Sequence, residues 1–477
     1  MKFTRTLHLA IAGAALPLAA ACTNPEARTS LASAPMPLAV APALAKAKNV
    51  ILFIGDGMGV STVTAARIYA GQKRGATGEE YVLPFEKFDN VALVKTYNTN
   101  AQVPDSAGTA TAMHSGEKTK IGVLGVGPNV TRGDCASGLA NPLPLLSEEV
   151  KQKGLALGIV STARITHATP ASVYSRSPDR GWEADNGIPE DQRGLGCDDI
   201  ATQLVNSDWE VALGGGTAMF FGSDNGGRRL DAGADLPTAW STRTGGTYVT
   251  DRDALAAAPM DAPVLGLFDA SHMDYMADSE RDATEPTLTE MTAQAIARLE
   301  SDPDGYYLMV ESGRIDHGHH AGKAGFALEE TVEFANAIQH AIDNTDPNET
   351  LILVTADHSH VFTIAGYPRR GNDILGLVVP PESGGDEVAE AAKAEDGKPY
   401  TTLGYGNGPG SIANMAERPI PETGINAQQQ SAIPTGSETH AGEDVALYAN
   451  GPGAEAARGV IEQDVIYDII RKAYGWE

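Results

Sequence analysis

Four short apolar runs, at residues 49–54, 155–160, 306–310 and 351–354, each break off against glycine or polar residues, and this rhythm constrains the fold more than any other feature. They are rich in Val, Ile and Leu and too short for buried helices, so they predict strands. Helical patterns occupy 61–69, 288–299 and 327–341. Strands alternating with helices predict an α/β fold with a largely parallel sheet. Ligands of such sheets bind beyond the carboxyl ends of the strands. The conspicuous polar residues of this chain stand there.

The first run ends in Ile54-Gly-Asp-Gly-Met-Gly59, which sets Asp56 at a strand tip among glycines. The third leads into Glu311-Ser-Gly-Arg-Ile-Asp316-His-Gly-His-His320. Asp316 and His320 are four apart, so one helical turn puts both on one face. The fourth ends in Thr355-Ala-Asp-His-Ser-His360, which sets Asp357 and His358 at its tip, and Glu438-Thr-His440 adds another imidazole. Carboxylate and imidazole together suit zinc. Counted as ligands, Asp316, His320 and His440 furnish one site, and Asp56, Asp357 and His358 furnish a second with a position left for a nucleophile. Ser106, in Val103-Pro-Asp-Ser-Ala-Gly-Thr-Ala-Thr-Ala112, starts a predicted helix whose free N–H groups favour an anion. A Ser N-cap without chemistry and a Ser-His-Asp triad are the other readings, although the Gly-x-Ser-x-Gly elbow is absent.

The chain carries 62 acidic against 35 basic side chains, a net charge of -27. That excludes nucleic-acid binding through a broad basic face, and an anionic substrate needs local cations such as metal ions. Residues 1–21 read as an export signal: Lys2 and Arg5 precede a short apolar run ending in small residues. Cys22 is then either a lipid-modified first residue, tethering the protein to a membrane, or part of a soluble product. Residues 22–48, rich in Ala and Pro, read as a tether. Export places the protein in the periplasm or on a membrane, where two cysteines usually pair. A Cys135–Cys197 bridge would span 62 positions and contribute about 4 kcal/mol; the alternative is two buried thiols. Residues 49–477 form the main domain, and 367–432, rich in Gly, Pro and charge, read as an insertion.

The five motifs around Asp56, Ser106, Asp316, Asp357 and His440, in this order and spread over nearly the whole mature chain, resemble those of the alkaline phosphatases. The resemblance implies a three-layer sandwich with a crown-like insertion at 367–432 and a homodimer. It implies hydrolysis of small phosphate monoesters at alkaline pH through a phosphoserine on Ser106, with two zinc ions (Zn2+) and one magnesium (Mg2+). Asp316, His320 and His440 look like ligands of the first zinc, and Asp56, Asp357 and His358 like those of the second. Asp56 would bridge to magnesium, with Thr169, Glu311 and nearby His167. Arg180 matches the phosphate-clamping arginine, although its neighbour Gly181 departs from the usual polar residue. His167 and His317, the Cys135/Cys197 spacing and the glycine-rich run ending at Gly410 are similar to the animal-type branch. Asp269 and Glu285 only partly echo that branch's calcium site. A phosphodiesterase or another hydrolase of the superfamily is the alternative function; diesterases usually carry Thr as nucleophile, and a sulfatase Cys/Ser-x-Pro-x-Arg motif is absent around Ser106. A non-catalytic exported metal- or phosphate-binding protein would be expected to lack one of these groups.

Overall fold

In a computed structural model of the chain, residues 46–381 and 390–476 are described. The expected export signal, Cys22 and most of the tether lie outside them. Among the described residues no helix is long and apolar enough to cross a membrane.

The strands are β1 (Asn49–Gly55), β2 (Asn90–Lys95), β3 (Ala156–Arg164), β4 (Val211–Gly215), β5 (Thr247–Val249), β6 (Val264–Leu267), β7 (Tyr306–Ser312) and β8 (Thr350–Ala356). After them come β9 (Ser359–His360), β10 (Phe362–Ile364), β11 (Leu403–Gly408), β12 (Ser431–Pro434), β13 (His440–Ala441), β14 (Val445–Asn450) and β15 (Gly459–Glu462). Ten of them form one sheet in the order β15-β2-β14-β8-β1-β7-β3-β4-β6-β5. Every neighbouring pair is parallel except those of β14 with β2 and β8. β1, β7 and β8 are buried at every residue, because helices cover both faces of a parallel sheet. That is why they appear in the sequence as unbroken apolar runs. The antiparallel β14 alternates buried and half-buried residues, a weaker signal that the apolar runs did not announce.

Two groups of helices flank the sheet. One holds Val60–Gln72, Leu288–Leu299 and Ala324–Asn344; the other holds Ser106–Ser115, Leu146–Gln152 and Val465–Tyr474. The helix expected at 288–299 has those bounds, and Thr287 caps it with a hydroxyl that accepts from the Glu290 amide.

Register sets the site. Gly55 pairs with Ser312 of β7 and with Ala356 of β8, so three adjacent strands end at one level. A short ribbon then pairs β13 with β9, opposing His440 to His360. β10, β11 and β12 make a separate three-stranded sheet. Between 367 and 432 the described chain holds no helix. Cys135 and Cys197 are disulfide-bonded, which removes the reading of two free thiols.

Candidate metal centre and nucleophile

Asp56 follows β1, Asp357 and His358 follow β8, and Glu311 lies near the end of β7; all four are fully buried. Gly57 turns the chain beside them at φ 69°, and a Cβ there would stand 2.3 Å from His360 Nε2, so only glycine fits. The Gly57 amide donates to Asp357 Oδ1 at 3.0 Å.

The helix Arg314–His320 presents Asp316 and His320 to the ribbon residue His440. Asp316 Oδ1 lies 3.3 Å from His320 Nε2 and 3.3 Å from His440 Nε2, and the two Nε2 atoms are 3.1 Å apart. Nδ1 of His320 donates to the Glu438 carbonyl at 2.6 Å, and Nδ1 of His440 to the Pro104 carbonyl at 2.9 Å. A carbonyl only accepts, so each Nδ1 carries the proton and each Nε2 presents a lone pair. In the neutral rings two lone pairs and a carboxylate oxygen thus converge with no hydrogen between them.

A second triangle stands beside the first. His358 Nε2 is 3.4 Å from Asp56 Oδ1, 3.3 Å from Asp357 Oδ2 and 3.1 Å from Ser106 Oγ. Atoms ligating one tetrahedral ion at about 2.0–2.1 Å stand about 3.3 Å apart, which is the spacing of both sets. The same Nε2 faces the serine and both carboxylates, while Nδ1 of His358 is buried without a partner. A Ser-His-Asp triad needs the acid on the opposite nitrogen, so that reading fails.

Asp56, His167 and Glu311 bring a ligand atom each within 4.8 Å of one another. Both Asp56 oxygens, Asp357 Oδ2, Glu311 Oε1, Thr169 Oγ1 and His167 Nδ1 are buried without a hydrogen-bond partner. Burial, then the charges of Asp357, Asp316 and Glu311, holds Asp56 well above the usual carboxylate range. Burial pushes Glu311 up to about 7. Burial would also raise Asp316, but His320, His360 and His440 hold it well below the ordinary value. Crowded, desolvated carboxylates with unused oxygens fit cations.

Ser106 is the first residue of the helix Ser106–Ser115, and the cap is Asp105, whose carboxylate accepts from the Gly108 amide at 3.1 Å. Because Asp105 caps the helix, the Ser106 hydroxyl is free for chemistry, and the N-cap reading of Ser106 is corrected. The other Asp105 oxygen accepts from the Gly122 amide at 3.0 Å and from Arg180 Nη1 at 3.1 Å, while Arg180 Nη2 meets His167 Nε2 at 3.0 Å. Arg180 is therefore held in place beside Ser106.

Four participants were not assigned from sequence: Asp105, His360, Glu438 and His272. His360 bridges Asp316 Oδ1, at 2.8 Å, and Glu438 Oε2, at 2.5 Å. Burial alone would lower its pKa, but these two carboxylates lift it to about 9. Burial pushes Glu285 up to about 7, with the charges of Asp274 and Asp269 adding to it, and among the described residues no cluster of three metal-ligand side chains includes Asp269 or Glu285.

A family model described as alkaline phosphatase matches residues 47–475. Over 443 residues the chain is 47% identical to the tissue-nonspecific alkaline phosphatase of Gallus gallus, covering 88% of this chain and 83% of that protein. The alkaline phosphatase of Gadus morhua is 43% identical over 444 residues, covering 88% and 90%. The structure of the alkaline phosphatase from the Antarctic bacterium TAB5 aligns with a TM-score of 0.63 at 25% identity, covering 91% of this chain and 100% of that one. The Thermus thermophilus alkaline phosphatase aligns at 0.66 and 24% identity over 91% and 92%, a likeness of fold alone.

Proposed function

The chain belongs to the alkaline phosphatase family, and from that membership we propose that Ser106 takes the phosphoryl group at a centre of two zinc ions and one magnesium ion. The protein is a metal-dependent enzyme that hydrolyses phosphate monoesters. Asp316, His320 and His440 hold one zinc; Asp56, Asp357 and His358 hold the other. Asp56, Glu311 and Thr169, with His167 beside them, hold magnesium. The observation that carries this reading is the pair of Nε2 atoms of His320 and His440, 3.1 Å apart against Asp316, a contact that with both rings neutral repels unless a cation lies between them.

Bound ions supply Lewis acidity, lowering the pKa of hydroxyl groups and offsetting charge on phosphate and leaving group. Ser106 Oγ loses its proton to solvent and attacks phosphorus; the bond to the ester oxygen breaks, and that oxygen leaves as the alcohol. Water then cleaves the Oγ–phosphorus bond, releasing inorganic phosphate and restoring the hydroxyl. Arg180, fixed by Asp105 and His167, offers its planar fork to two phosphate oxygens. The buried start of the helix Ser106–Ser115 adds favourable dipole for the anion. These contacts grip the phosphoryl group alone, so any selection among leaving alcohols comes from residues beyond them.

Export through residues 1–21, a periplasmic or lipid-anchored location through Cys22, an insertion at 367–432 and a homodimer complete the reading, on the strength of the sequence and the family. Metal analysis of the purified protein, paired with rates on a monoester and a diester of p-nitrophenol, tests the core of it. The expected result is two zinc and one magnesium per chain with the monoester far faster. A faster diester, or a monoesterase that holds no metal, overturns it.

A further inference from the structure

On the more open side of the centre, three imidazoles meet three guanidinium groups. The His272 ring lies 4.2 Å from that of His317 and 5.2 Å from that of His167. All three are partly exposed, unlike the buried carboxylates beside them. Each faces an arginine: His167 Nε2 meets Arg180 Nη2 at 3.0 Å, His272 Nε2 meets Arg164 Nη1 at 2.5 Å, and His317 Nδ1 meets Arg314 Nη1 at 3.1 Å. A guanidinium only donates, so these nitrogens accept, and in His272 the Arg164 amide also meets Nδ1 at 3.3 Å, which leaves that ring no N–H to offer. The cluster is therefore a poor cation site, with three positive charges against its rings.

Two of the arginines are neutralised. Glu183 pairs with Arg164 at 2.8 and 2.7 Å, and Asp105 with Arg180 at 3.1 Å. Arg314 is different. Among the described residues no carboxylate pairs with it; it rests on the Tyr275 ring at 3.6 Å, and its buried Nε has no hydrogen-bond partner. Buried Glu330 feels its charge without pairing with it, so in a chain of net charge -27 this guanidinium is left without an ion pair among the described residues. His317 and His167, with ring centroids 5.7 Å apart, link it to Arg180, the arginine proposed to clamp phosphate.

We propose that Arg314, with His317 beside it and His272 at its edge, forms a second anion subsite in which the guanidinium holds a carboxylate or phosphate carried by the leaving group, so that the enzyme favours monoesters bearing a second anionic group. The subsite rests on the phosphomonoesterase reading above. A fork of N–H donors recognises either planar carboxylate or phosphate oxygens. Such substrates are the ones most repelled by the acidic surface, and screening leaves only nearby charges effective, over about 10 Å at 0.1 M salt.

The test uses the metal-loaded enzyme and three alcohol phosphates of equal length: propane-1,3-diol monophosphate, its bisphosphate, and the phosphate ester of 3-hydroxypropanoate. Phosphate release gives kcat/KM for each. The parent enzyme should favour the doubly anionic esters by about tenfold, a preference that falls towards unity in Arg314→Gln and only partly in Arg314→Lys. His272→Asp, which places a carboxylate in the cluster, should reverse the preference even if Arg314→Gln proves unstable. Which of the two doubly anionic esters gains more names the anion. Equal ratios in the parent and every variant overturn the subsite. No hydrolysis of the monophosphate by the parent overturns the phosphomonoesterase reading instead.

Discussion

The Nε2 atoms of His320 and His440 face each other at 3.1 Å, with a backbone carbonyl fixing the opposite nitrogen of each ring. With both rings neutral neither can donate to the other, and a cation between them makes the contact favourable. Dialysis against a chelator should therefore abolish activity and lower the melting temperature by about 5 °C or more, since a tightly bound ion stabilises the folded state by mass action. Zinc plus magnesium should restore both. An unchanged melting curve after full chelation would show that these side chains hold no metal.

Ser106 Oγ is 3.1 Å from His358 Nε2, and its helix is capped by Asp105 instead. Ser106→Ala should cut turnover by roughly a thousandfold or more while zinc content and melting temperature stay near the parent's. A variant retaining full activity ends the assignment of Ser106 as nucleophile.

Arg180 owes its position to Asp105, which accepts from it at 3.1 Å. Arg180→Ala should weaken inhibition by inorganic phosphate by about ten- to a hundredfold, the worth of charge-assisted hydrogen bonds. Arg180→Lys should recover little, because a point charge lacks the fork. Asp105→Asn should show a smaller loss of the same kind. Phosphate inhibition unchanged in Arg180→Ala would contradict the clamp.

The candidate site was more legible in the sequence than the contacts that hold its residues. Asp56, Asp357 and Glu311 were legible because each sits at the end of a doubly buried strand, where an apolar run stops abruptly. The ribbon that opposes His440 to His360 left no such trace: two-residue strands have no periodicity, and 80 residues of sequence separate the partners. Glu438 and His360 were consequently visible as motif letters without a role. Asp105 was hidden by Ser106, since either residue makes a good cap and sequence alone cannot rank them. His272 stands alone, with no second histidine at ligand spacing, and only the fold carries it to His317.

His114 offers a test of buried histidine away from the metal ligands. It is fully buried, with Nδ1 on the Ala110 carbonyl and Nε2 on the Tyr307 hydroxyl. Burial pushes its pKa down from 6.5 to about 4. The folded value lies below the unfolded one, so folding favours the neutral ring. That contribution is complete above pH 6.5 and drains away as pH falls towards 4, by about 3 kcal/mol in all. Urea midpoints at neutral pH and near pH 5 should drop more for the parent than for His114→Gln, and taking the difference cancels the other titrating groups. Equal drops would mean that His114 titrates normally.

Glu438 gives the sharpest test of the first proposed zinc site. Its Oε2 accepts from His360 Nδ1 at 2.5 Å and its Oε1 from the Val361 amide at 2.9 Å, while His360 Nε2 reaches Asp316 Oδ1 at 2.8 Å. The carboxylate thus fixes the ring that fixes the proposed ligand Asp316, and its backbone carbonyl fixes His320 from the same residue. Replacing Glu438 with Gln keeps the shape and the carbonyl but removes the charge that orients His360. Groups that orient a ligand from behind typically contribute ten- to a hundredfold in metal affinity. Glu438→Gln should therefore release zinc from the Asp316 site at about ten- to a hundredfold lower chelator concentration, with the Asp56 site nearly unaffected, as read by metal content after graded dialysis. A purely structural role would loosen both sites together and lower the melting temperature of the metal-free protein as well. Retention of both zincs at the parent's chelator concentration would show that His360 holds Asp316 without help from Glu438.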